Sequence, residues 1–568
     1  MMTKYRRGEA LIEVLNAHGV DKIFLNSGGD VVDVQSDVAL ARVAGKKAPQ
    51  LVLCLDESVA ASAAYGNYMV TGKPQVVMVH TELGTYQLGG NLQNLHWGRI
   101  PAVILSGYAP NESKRTLWNG QPYKQAAIVR GSVKYDVTLK GDEDIHEVLA
   151  DAFRIACTEP TGPVYVCFPM SYMKGEIEKP EALPPVKAPE PLPAVDMDAL
   201  GKMADLLLEA KNPMLVSGTA GRHTDNVGRL ISLAEVLKSY VLTGYSWMNF
   251  PSDHPLCVGI EQIGGSRKLD AGFDEADVIL AIDYAIPYVR NAPPISESTR
   301  ILHIDVDPLT SGRLLWGRGA DIFMKADSRE AIPALERLLK EKISPDKQAE
   351  LEARYQKIAA RNEAARQSWY EDARSRSAQD PISPDYLFYC LNQLIGEDAI
   401  FVNHTLGHCA SATEQIVRTK PGTWFGCPSG MIGWATGAAL GAASAAEGKL
   451  VVTAMTDGGF MWGCPTATFW TASNYKFPFL AIVCNNDGYG AIRDIHPEFL
   501  RETPPSAQYV AETATNFKLD YAKVAQGAGA YGRTVVKPED VLPALKEALE
   551  AVRGGKPAVL DVYMPGKK

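Results

Sequence analysis

Short apolar runs alternate with amphipathic segments along most of the chain. Runs such as LVLCL, QVVMV and PAVILSG are continuous, whereas the segments between them repeat their apolar residues every three or four positions. Continuous runs are typical of strands buried on both faces, and the second spacing is typical of helices. The same alternation returns after residue 197 and after residue 383. It predicts an α/β protein of three doubly wound parallel-sheet domains.

Two changes of composition divide the chain. The proline-rich stretch KPEALPPVKAPEPLPAV, which begins at Lys179, favours an extended linker. The charged segment PDKQAELEARYQKIAARNEAARQSWYEDARSR favours a solvated connecting helix. We therefore predict an N-terminal domain at residues 1–185, a central domain at 190–345, a helical linker at 346–380 and a C-terminal domain at 381–568.

Polar residues follow two apolar runs of the C-terminal domain. LVVTAMT is followed by Asp457, Gly458 and Gly459, and PFLAIVC is followed by Asn485, Asn486, Asp487, Gly488 and Tyr489. Ligands bind parallel α/β sheets at the carboxyl ends of their strands. Carboxylate, amide and carbonyl oxygens suit a hard divalent cation, and glycines allow the backbone to approach a phosphate. The pattern therefore indicates a cation that holds a diphosphate, although two ordinary turns remain the alternative.

These two turns resemble the thiamine-diphosphate motif, in which Gly-Asp-Gly is followed at a distance by Asn-Asn. Thr456 stands in place of the first glycine, while the acidic residue is kept. The chain is similar to the acetolactate synthase/pyruvate decarboxylase branch of the thiamine diphosphate (ThDP) enzymes. The resemblance covers essentially the whole chain, with PYR, central and PP domains in that order.

The resemblance implies a set of cofactor contacts. It places Mg²⁺ on Asp457, Asn486 and Gly488. It implies that ThDP is bound by Gly407, His408, Gly430, Ile432, Asp457, Gly458, Gly459, Asn486, Gly488 and Tyr489. In the family the bulky side chain at the place of Ile432 forces the two cofactor rings into a V shape, and the carbonyl at the place of Gly430 accepts a bond from the 4′-amino group. Ile432 could instead be core filler, and the Gly407–His408 pair could belong to a polar surface loop.

Glu57 follows the apolar run LVLCLD and precedes an alanine-rich helix. The resemblance implies that this carboxyl protonates N1′ of the aminopyrimidine ring. A carboxyl buried beside an apolar face has a raised pKa and can share a proton with a ring nitrogen. The alternative is a helix cap, which either Asp56 or Glu57 could provide.

Four further residues are candidates for proton transfer to the substrate. Asp30 lies in LNSGGD and matches the acid of the Pro-Gly-Asp turn in decarboxylases, although it could instead cap the next helix. His80 and Glu82 lie in VMVHTELGT, where decarboxylases carry two adjacent histidines and this chain has one. Gln87 is expected in the same pocket.

The bulk composition excludes several classes of protein. The net charge of −9 and the pI of about 5.7 argue against a nucleic-acid partner. The nine cysteines show no paired spacing, which is typical of reduced thiols in a cytoplasmic protein. The start of the chain has no apolar signal core, and the small-residue segment ATGAALGAASAA is too short to span a membrane. This segment predicts a closely packed interior helix.

The expected function is acetolactate-synthase-like: decarboxylation of a 2-oxo acid, followed by ligation of the remaining fragment to a second carbonyl. A non-ligating decarboxylase and a 2-hydroxyacyl(-CoA) lyase are the alternatives. Ile492 occupies the place of a decarboxylase glutamate, and the chain stops soon after PAVLDVYM, where lyases extend over CoA. A homodimer or homotetramer with sites between subunits is implied.

Two rivals of other classes remain. A non-catalytic ThDP-binding regulatory protein would need no proton relay, so Glu57 argues against it. A nicotinamide dehydrogenase would need a G-x-G-x-x-G turn, but the central domain offers only GTAG. Some relatives bind FAD or ADP in the central domain, and the sequence leaves that open.

Overall fold

The apolar runs of the sequence form the strands of three parallel sheets. The computed structural model describes residues 4–108, 125–261, 275–284, 295–308, 319–490, 492 and 518–564. Within these ranges lie three six-stranded sheets in which all neighbouring strands are parallel. Helices lie between most of the successive strands along the chain. The predicted fold class, three doubly wound α/β domains, is confirmed.

The N-terminal sheet is built from six strands: β2 (Lys22–Leu25), β3 (Gln50–Leu53), β4 (Gln75–Val79), β5 (Ala102–Tyr108), β6 (Tyr135–Thr138) and β7 (Val164–Pro169). Its helices are α1 (Arg7–Ala17), α2 (Val32–Val43), α3 (Glu57–Thr71), α4 (Thr81–Gln87), α5 (Gly89–Trp97), α6 (Gln125–Val129) and α7 (Ile145–Cys157). The strand order is β3-β2-β4-β5-β7-β6. The order reverses between β2 and β4, so the ends of these two strands flank a crevice suited to ligands.

The central sheet is built from β9 (Pro213–Ser217), β10 (Tyr240–Thr243), β11 (Cys257–Ile260), β12 (Val278–Ile282), β13 (Arg300–Asp305) and β14 (Ile322–Lys325). Its helices are α8 (Met197–Glu209), α9 (Asp225–Leu237) and α10 (Ser328–Lys342). The order β11-β10-β9-β12-β13-β14 is that of a dinucleotide-binding sheet. The charged linker segment forms α11 (Pro345–Ser375), and the described part of the proline-rich stretch after residue 179 has no helix or strand.

The C-terminal sheet is built from β15 (Ile400–His404), β16 (Trp424–Gly426), β17 (Val451–Thr456), β18 (Leu480–Asn485), β19 (Tyr531–Val535) and β20 (Ala558–Tyr563). Its helices are α12 (Pro384–Ile395), α13 (Cys409–Gln415), α14 (Ala435–Ala443), α15 (Asp457–Trp462), α16 (Pro465–Tyr475), α17 (Tyr521–Gly527) and α18 (Val541–Arg553). Its order, β16-β15-β17-β18-β20-β19, repeats that of the N-terminal sheet strand for strand. The two sheets therefore share a topology although their sequences show no repeat.

A short antiparallel pair completes the described strands. It joins β1 (Lys4–Arg6) to β8 (Glu176–Glu178) and so ties the start of the chain to the end of the N-terminal sheet region. Within the described ranges, no helix is both long and apolar enough to cross a membrane.

The N-terminal and C-terminal sheets share one hydrophobic core, and helices α3 and α14 lie at its centre. The helices approach backbone to backbone: a β-carbon on Gly66 would overlap the carbonyl of Ala438, and one on Gly441 would overlap the carbonyl of Ala63. The small residues of ATGAALGAASAA therefore serve close packing, as the sequence predicts. Only glycine fits at these crossings.

Gly441→Ala should destabilise the protein by about 1–3 kcal/mol or more, because the added methyl group meets a backbone carbonyl that cannot rotate away. Gly228→Ala is the matched control, since Gly228 is an exposed glycine of α9 with open space around its would-be β-carbon. This control should be neutral or stabilising by about 0.5–1 kcal/mol. Chemical denaturation of both variants measures the difference. Equal stabilities would show that α3 and α14 can move apart at no cost.

Candidate active site

Glu57 is the first residue of α3, but it does not cap the helix. The carboxylate of Asp56 accepts from the backbone N–H groups of Ser58 at 2.8 Å and Val59 at 3.2 Å, so Asp56 is the cap. Glu57 is left for another role, and its side chain is buried, with 5% of the residue exposed. Burial raises the pKa of the Glu57 carboxyl above its ordinary value.

The Glu57 carboxylate lies against the start of α4. Its Oε2 accepts from Nδ2 of Asn26 at 3.3 Å. Its Oε1 fills the space beside Gly84, where a β-carbon would stand 2.5 Å away. A larger residue at position 84 would push the carboxylate aside. Sequence reasoning missed both Asn26 and Gly84, although Asn26 directly follows β2 at the predicted ligand edge.

Asp30 and His80 form a pair at the point where the N-terminal strand order reverses. Asp30 follows β2 and His80 follows β4. Oδ1 of Asp30 is hydrogen-bonded to Nδ1 of His80, and Oδ2 accepts from the backbone N–H of Thr81 at 3.0 Å. Helix α2 has Val31 at its N-cap position and no side-chain cap, so Asp30 does not cap it. The carboxyl is buried while 36% of the His80 side chain is exposed, which leaves the ring accessible.

Two glycines make room for this pair. A β-carbon on Gly28 would overlap the His80 ring, and one on Gly107 would stand 2.5 Å from Oδ2 of Asp30. The first glycine of the Gly-Gly-Asp turn is therefore required by the imidazole behind it. The Gly-Gly-Asp turn therefore reverses the chain direction and also leaves space for the His80 ring.

The other two proton-transfer candidates lie on α4. Glu82 is half-buried in the first turn of this helix, and Gln87 is exposed at its last residue. The start of α4 thus gathers His80, Asp30 and, through Gly84, the carboxylate of Glu57. Gln87 lies two turns further along the helix.

The two turns of the C-terminal sheet are joined by the Asp457 carboxylate. Oδ1 of Asp457 accepts from the N–H of Gly458 at 2.8 Å, and Oδ2 accepts from the N–H of Gly488 at 2.8 Å. Thr456, the departure from the motif, is the N-cap of α15 and accepts from the N–H of Gly459 at 3.3 Å. The helix-capping role of Thr456 therefore accounts for a threonine where the motif has a glycine.

The Asn-Asn-Asp-Gly turn follows β18 and has two residues in left-handed backbone conformations, Asp487 at φ +60° and Gly488 at φ +123°. Asn486 is buried, while Tyr489 is exposed and faces Gly458. The described residues contain no cluster of three or more His, Cys, Asp or Glu side chains able to hold a metal. The donors offered here are one carboxylate, one amide and one backbone carbonyl, a set that fits a hard cation bound together with phosphate oxygens.

The remaining cofactor candidates surround the reversal point of the C-terminal sheet. Gly407 and His408 lie in a short 3-10 turn, Leu406–His408, after β15, and burial lowers the pKa of His408 to about 4. Gly430 has φ +70°, and Ile432 is half-buried before α14. The neutral His408 ring and the small Gly407 suit a polar ligand at this edge.

The candidates form two groups, one at the N-terminal sheet and one at the C-terminal sheet. The Glu57 carboxylate accepts from Asn26, whereas the Asp457 carboxylate accepts from Gly458 and Gly488. The turn before α14 instead contacts α5, where Nδ2 of Asn91 donates to the carbonyl of Gly433 at 3.4 Å. We refer to the group around Glu57 and the group around Asp457 as the two half-sites of the chain.

Comparisons with known proteins identify the family. Models of the thiamine pyrophosphate enzyme domains match residues 6–128 (N-terminal TPP binding domain), 200–335 (central domain) and 405–562 (C-terminal TPP binding domain). The chain belongs to the thiamine pyrophosphate enzymes. It is therefore an enzyme that binds thiamine diphosphate, which is the same compound as thiamine pyrophosphate.

Curated relatives align along most of the chain. Glyoxylate carboligase of Escherichia coli O157:H7 is 25% identical over 82% of this chain and 78% of its own length. The acetolactate synthase isozyme 3 large subunit of E. coli K12 is 25% identical over 99% and 95%. Sulfoacetaldehyde acetyltransferase of Castellaniella defragrans is 26% identical over 98% and 92%.

Solved structures share the fold. A 4-hydroxybenzoylformate decarboxylase of Rhodococcus jostii RHA1 superposes with a TM-score of 0.79 at 23% identity, covering 99% of this chain and 100% of that one. A benzoylformate decarboxylase of Polynucleobacter necessarius gives 0.81 at 20% identity, covering 99% and 98%.

As pH rises, the cofactor-free Glu57→Gln variant should become more stable relative to the cofactor-free wild type. A carboxyl whose pKa is raised by folding contributes its full share of folding stability below its unfolded pKa of about 4.3. That stability is lost as pH rises through the folded pKa. The variant lacks that ionisation. Thermal unfolding of both proteins between about pH 4 and pH 8 should show a growing difference in Tm. Glu209→Gln, at the exposed end of α8, is the control, and its Tm should change with pH as that of the wild type does. If the Tm of Glu57→Gln also ran parallel to that of the wild type, the result would contradict the burial of a charge at Glu57.

Proposed function

We propose that this enzyme is a ThDP- and Mg²⁺-dependent carboligase that decarboxylates a 2-oxo acid and joins the remaining fragment to a second carbonyl compound. The observation that carries the proposal is the grouping of a buried carboxyl, Glu57, with the Asp30–His80 pair around the start of α4. Support for ligation comes from relatives named as a carboligase and as an acetolactate synthase, which align with most of this chain.

The C-terminal turns would hold the cofactor. Asp457, Asn486 and the carbonyl of Gly488 would bind Mg²⁺, and the glycines beside Asp457 would let the diphosphate approach the backbone. Bound ThDP supplies a nucleophilic carbon and an electron sink for 2-oxo acid chemistry. The turn at Gly430 and Ile432, together with Gly407 and His408, would shape the rest of this half-site.

Glu57 would hold the activating proton. Burial favours the protonated form of the Glu57 carboxyl. Asp56 caps α3, so the Glu57 side chain is not needed for that role. A protonated carboxyl can donate to a ring nitrogen and take the proton back, as general acid–base catalysis requires. The bond from Asn26 and the space at Gly84 would fix its direction.

Asp30 and His80 would handle protons on the substrate side. A buried carboxylate that orients an imidazole leaves the other ring nitrogen, Nε2, for the substrate. This pair is also the observation that favours the second candidate function, simple decarboxylation, in which the remaining fragment is protonated and released as an aldehyde. Ile492 supports ligation instead, since an apolar side chain at that place donates no proton. Glu82 stands next to the pair as a further acid, and Gln87 belongs to the edge of the pocket.

A second copy of the chain would complete the site. Large apolar side chains are exposed at both half-sites: Leu83, Tyr86, Met431, Met461, Trp462, Tyr489 and Ile492. Exposed apolar side chains grouped near a ligand site are typical of surfaces that another subunit covers. The proposed assembly is a homodimer or homotetramer in the cytoplasm, and light scattering coupled to size-exclusion chromatography tests the assembly.

FAD or ADP in the central domain stays a prediction. The carboxyl edge of that sheet carries the carboxylate of Asp305, which is paired with Arg99 of the N-terminal region at 3.1 Å. A flavin would show in the visible absorbance of the purified enzyme, and a nucleotide would show in the supernatant after acid precipitation.

Glu57→Gln should lower turnover about 100-fold or more, because the amide cannot pass a proton. The purified enzyme with ThDP, Mg²⁺ and a panel of 2-oxo acids is assayed for CO₂ and for ligated product. Asp56→Asn is the matched control: it keeps an oxygen to cap α3 and should retain activity. Wild-type enzyme that releases no CO₂ from any 2-oxo acid would refute the proposed function.

Asp457→Asn should weaken ThDP binding in the presence of Mg²⁺ by about 10- to 100-fold, and a chelator should weaken wild-type binding in the same way. Isothermal titration calorimetry measures both effects. Asp540→Asn changes an acid that pairs with Arg533 at 3.2 Å and, among the described residues, has no bond to the turns at Asp457 and Gly488, so this variant should bind as the wild type does. A ThDP affinity that the chelator does not change would contradict a role for the metal in holding the cofactor.

Asp30→Asn should leave ThDP affinity and hydrogen exchange at the cofactor C2 position near wild type, because Asp30 contacts His80 and α4 rather than the C-terminal turns. Product formation should fall by about 100-fold if the pair carries the substrate proton. Product analysis by NMR shows whether aldehyde or ligated product is lost. Loss of C2 exchange would instead place Asp30 with Glu57 in cofactor activation.

A further inference from the structure

Strand β20 carries a buried acid within an apolar sequence. Its residues, AVLDVY, are buried except for the half-buried last one, and Asp561 is 1% exposed. β20 pairs with β18 so that Tyr563 lies beside Asn485. A buried carboxyl is costly unless it is hydrogen-bonded, so its partners indicate what it is for.

Asp561 holds the first asparagine of the Asn-Asn-Asp-Gly turn. Its Oδ1 accepts from Nδ2 of Asn485 at 2.9 Å, and its Oδ2 accepts from the N–H of Tyr521, at the start of α17, at 3.3 Å. The backbone carbonyl of Asn485 accepts from the N–H of Met564 at 2.7 Å. Asn485 is therefore fixed through its side chain and its backbone by the end of β20.

Tyr563 holds the acidic residue of the same turn. Its hydroxyl donates to Oδ2 of Asp487 at 2.5 Å and accepts from Nζ of Lys518 at 2.8 Å. Asp487 has φ +60°, an uncommon conformation for a residue with a side chain. Such a conformation persists only where the surroundings hold it.

These two contacts flank Asn486. On the far side of the turn, the N–H of Gly488 donates to Asp457. The turn is therefore held at residues 485, 487 and 488, on both sides of Asn486.

We propose that Asp561 and Tyr563 are positioning residues that fix Asn486 and the carbonyl of Gly488 for the divalent cation and so set the affinity for Mg²⁺ with ThDP. The inference rests on the proposed metal site. Side chains that orient metal ligands typically change metal affinity about 10- to 100-fold when removed.

The experiment titrates Mg²⁺ at fixed ThDP and follows binding by calorimetry and by tryptophan fluorescence. Asp561→Ala should raise the half-saturating Mg²⁺ concentration by about 10- to 100-fold, and Asp561→Asn, which keeps one acceptor for Asn485, should raise it less. Tyr563→Phe should raise it several-fold with little change in Tm.

Two controls separate positioning from general weakening of the domain. Tyr531→Phe removes a similar tyrosine–carboxylate bond, to Glu547 at 2.9 Å, on the neighbouring strand β19. Asp520→Ala removes the side-chain N-cap of α17, which Asp561 also contacts, without touching Asn485. Both should lower Tm at most and leave the half-saturating Mg²⁺ concentration unchanged.

The outcomes are distinguishable. Wild-type ThDP binding that needs no Mg²⁺ would refute the proposed metal site itself. Mg²⁺-dependent wild-type binding with unchanged half-saturation in Asp561→Asn and Tyr563→Phe would overturn the positioning role alone. If Asp561→Ala fails to fold, these two conservative variants decide the matter.

Discussion

The close contact between helices α3 and α14 is the constraint on which the rest of the arrangement depends. Gly66 and Gly441 meet carbonyl groups of the opposite helix, so neither position admits a side chain. The helices belong to the N-terminal and C-terminal sheets, and their contact merges two cores into one. Because α3 begins at Glu57 and α14 follows the turn at Gly430, this contact also fixes where the chain presents parts of both half-sites.

The shared strand order of the two outer sheets gives each half-site its place. In both sheets the order reverses between the first and third strands, and the polar candidates follow those strands: Asp30 and His80 in one sheet, His408 and Asp457 in the other. Similar topology thus supports different chemistry. The N-terminal edge carries buried acids and an imidazole, whereas the C-terminal edge carries carboxylate, amide and carbonyl oxygens beside glycines.

The fold could be predicted largely from the sequence because continuous apolar runs and helical spacing are local signals. The site was predictable only in part. Sequence could not decide whether Asp56 or Glu57 caps α3, because adjacent acids are equivalent in a linear pattern and only the backbone direction separates them. Asn26, Gly84 and Asp561 were missed for a similar reason, since their roles depend on neighbours distant in sequence. A lone acid inside the apolar run AVLDVY was the one signal that could have revealed Asp561.

The packing of α3 on α14 also bears on assembly. A cofactor held by the turns at Asp457 and Gly488 would need a proton donor, and within one chain the N-terminal and C-terminal sheets meet through the close packing of α3 on α14. Glu57 faces α4 and the side chain of Asn26 instead. Exposed apolar side chains such as Trp462 and Tyr86 lie at the half-sites, where water would otherwise reach the reaction. A second copy that covered these side chains would bring an acid half-site to a metal half-site and exclude solvent in the same step, so assembly and catalysis would share one surface.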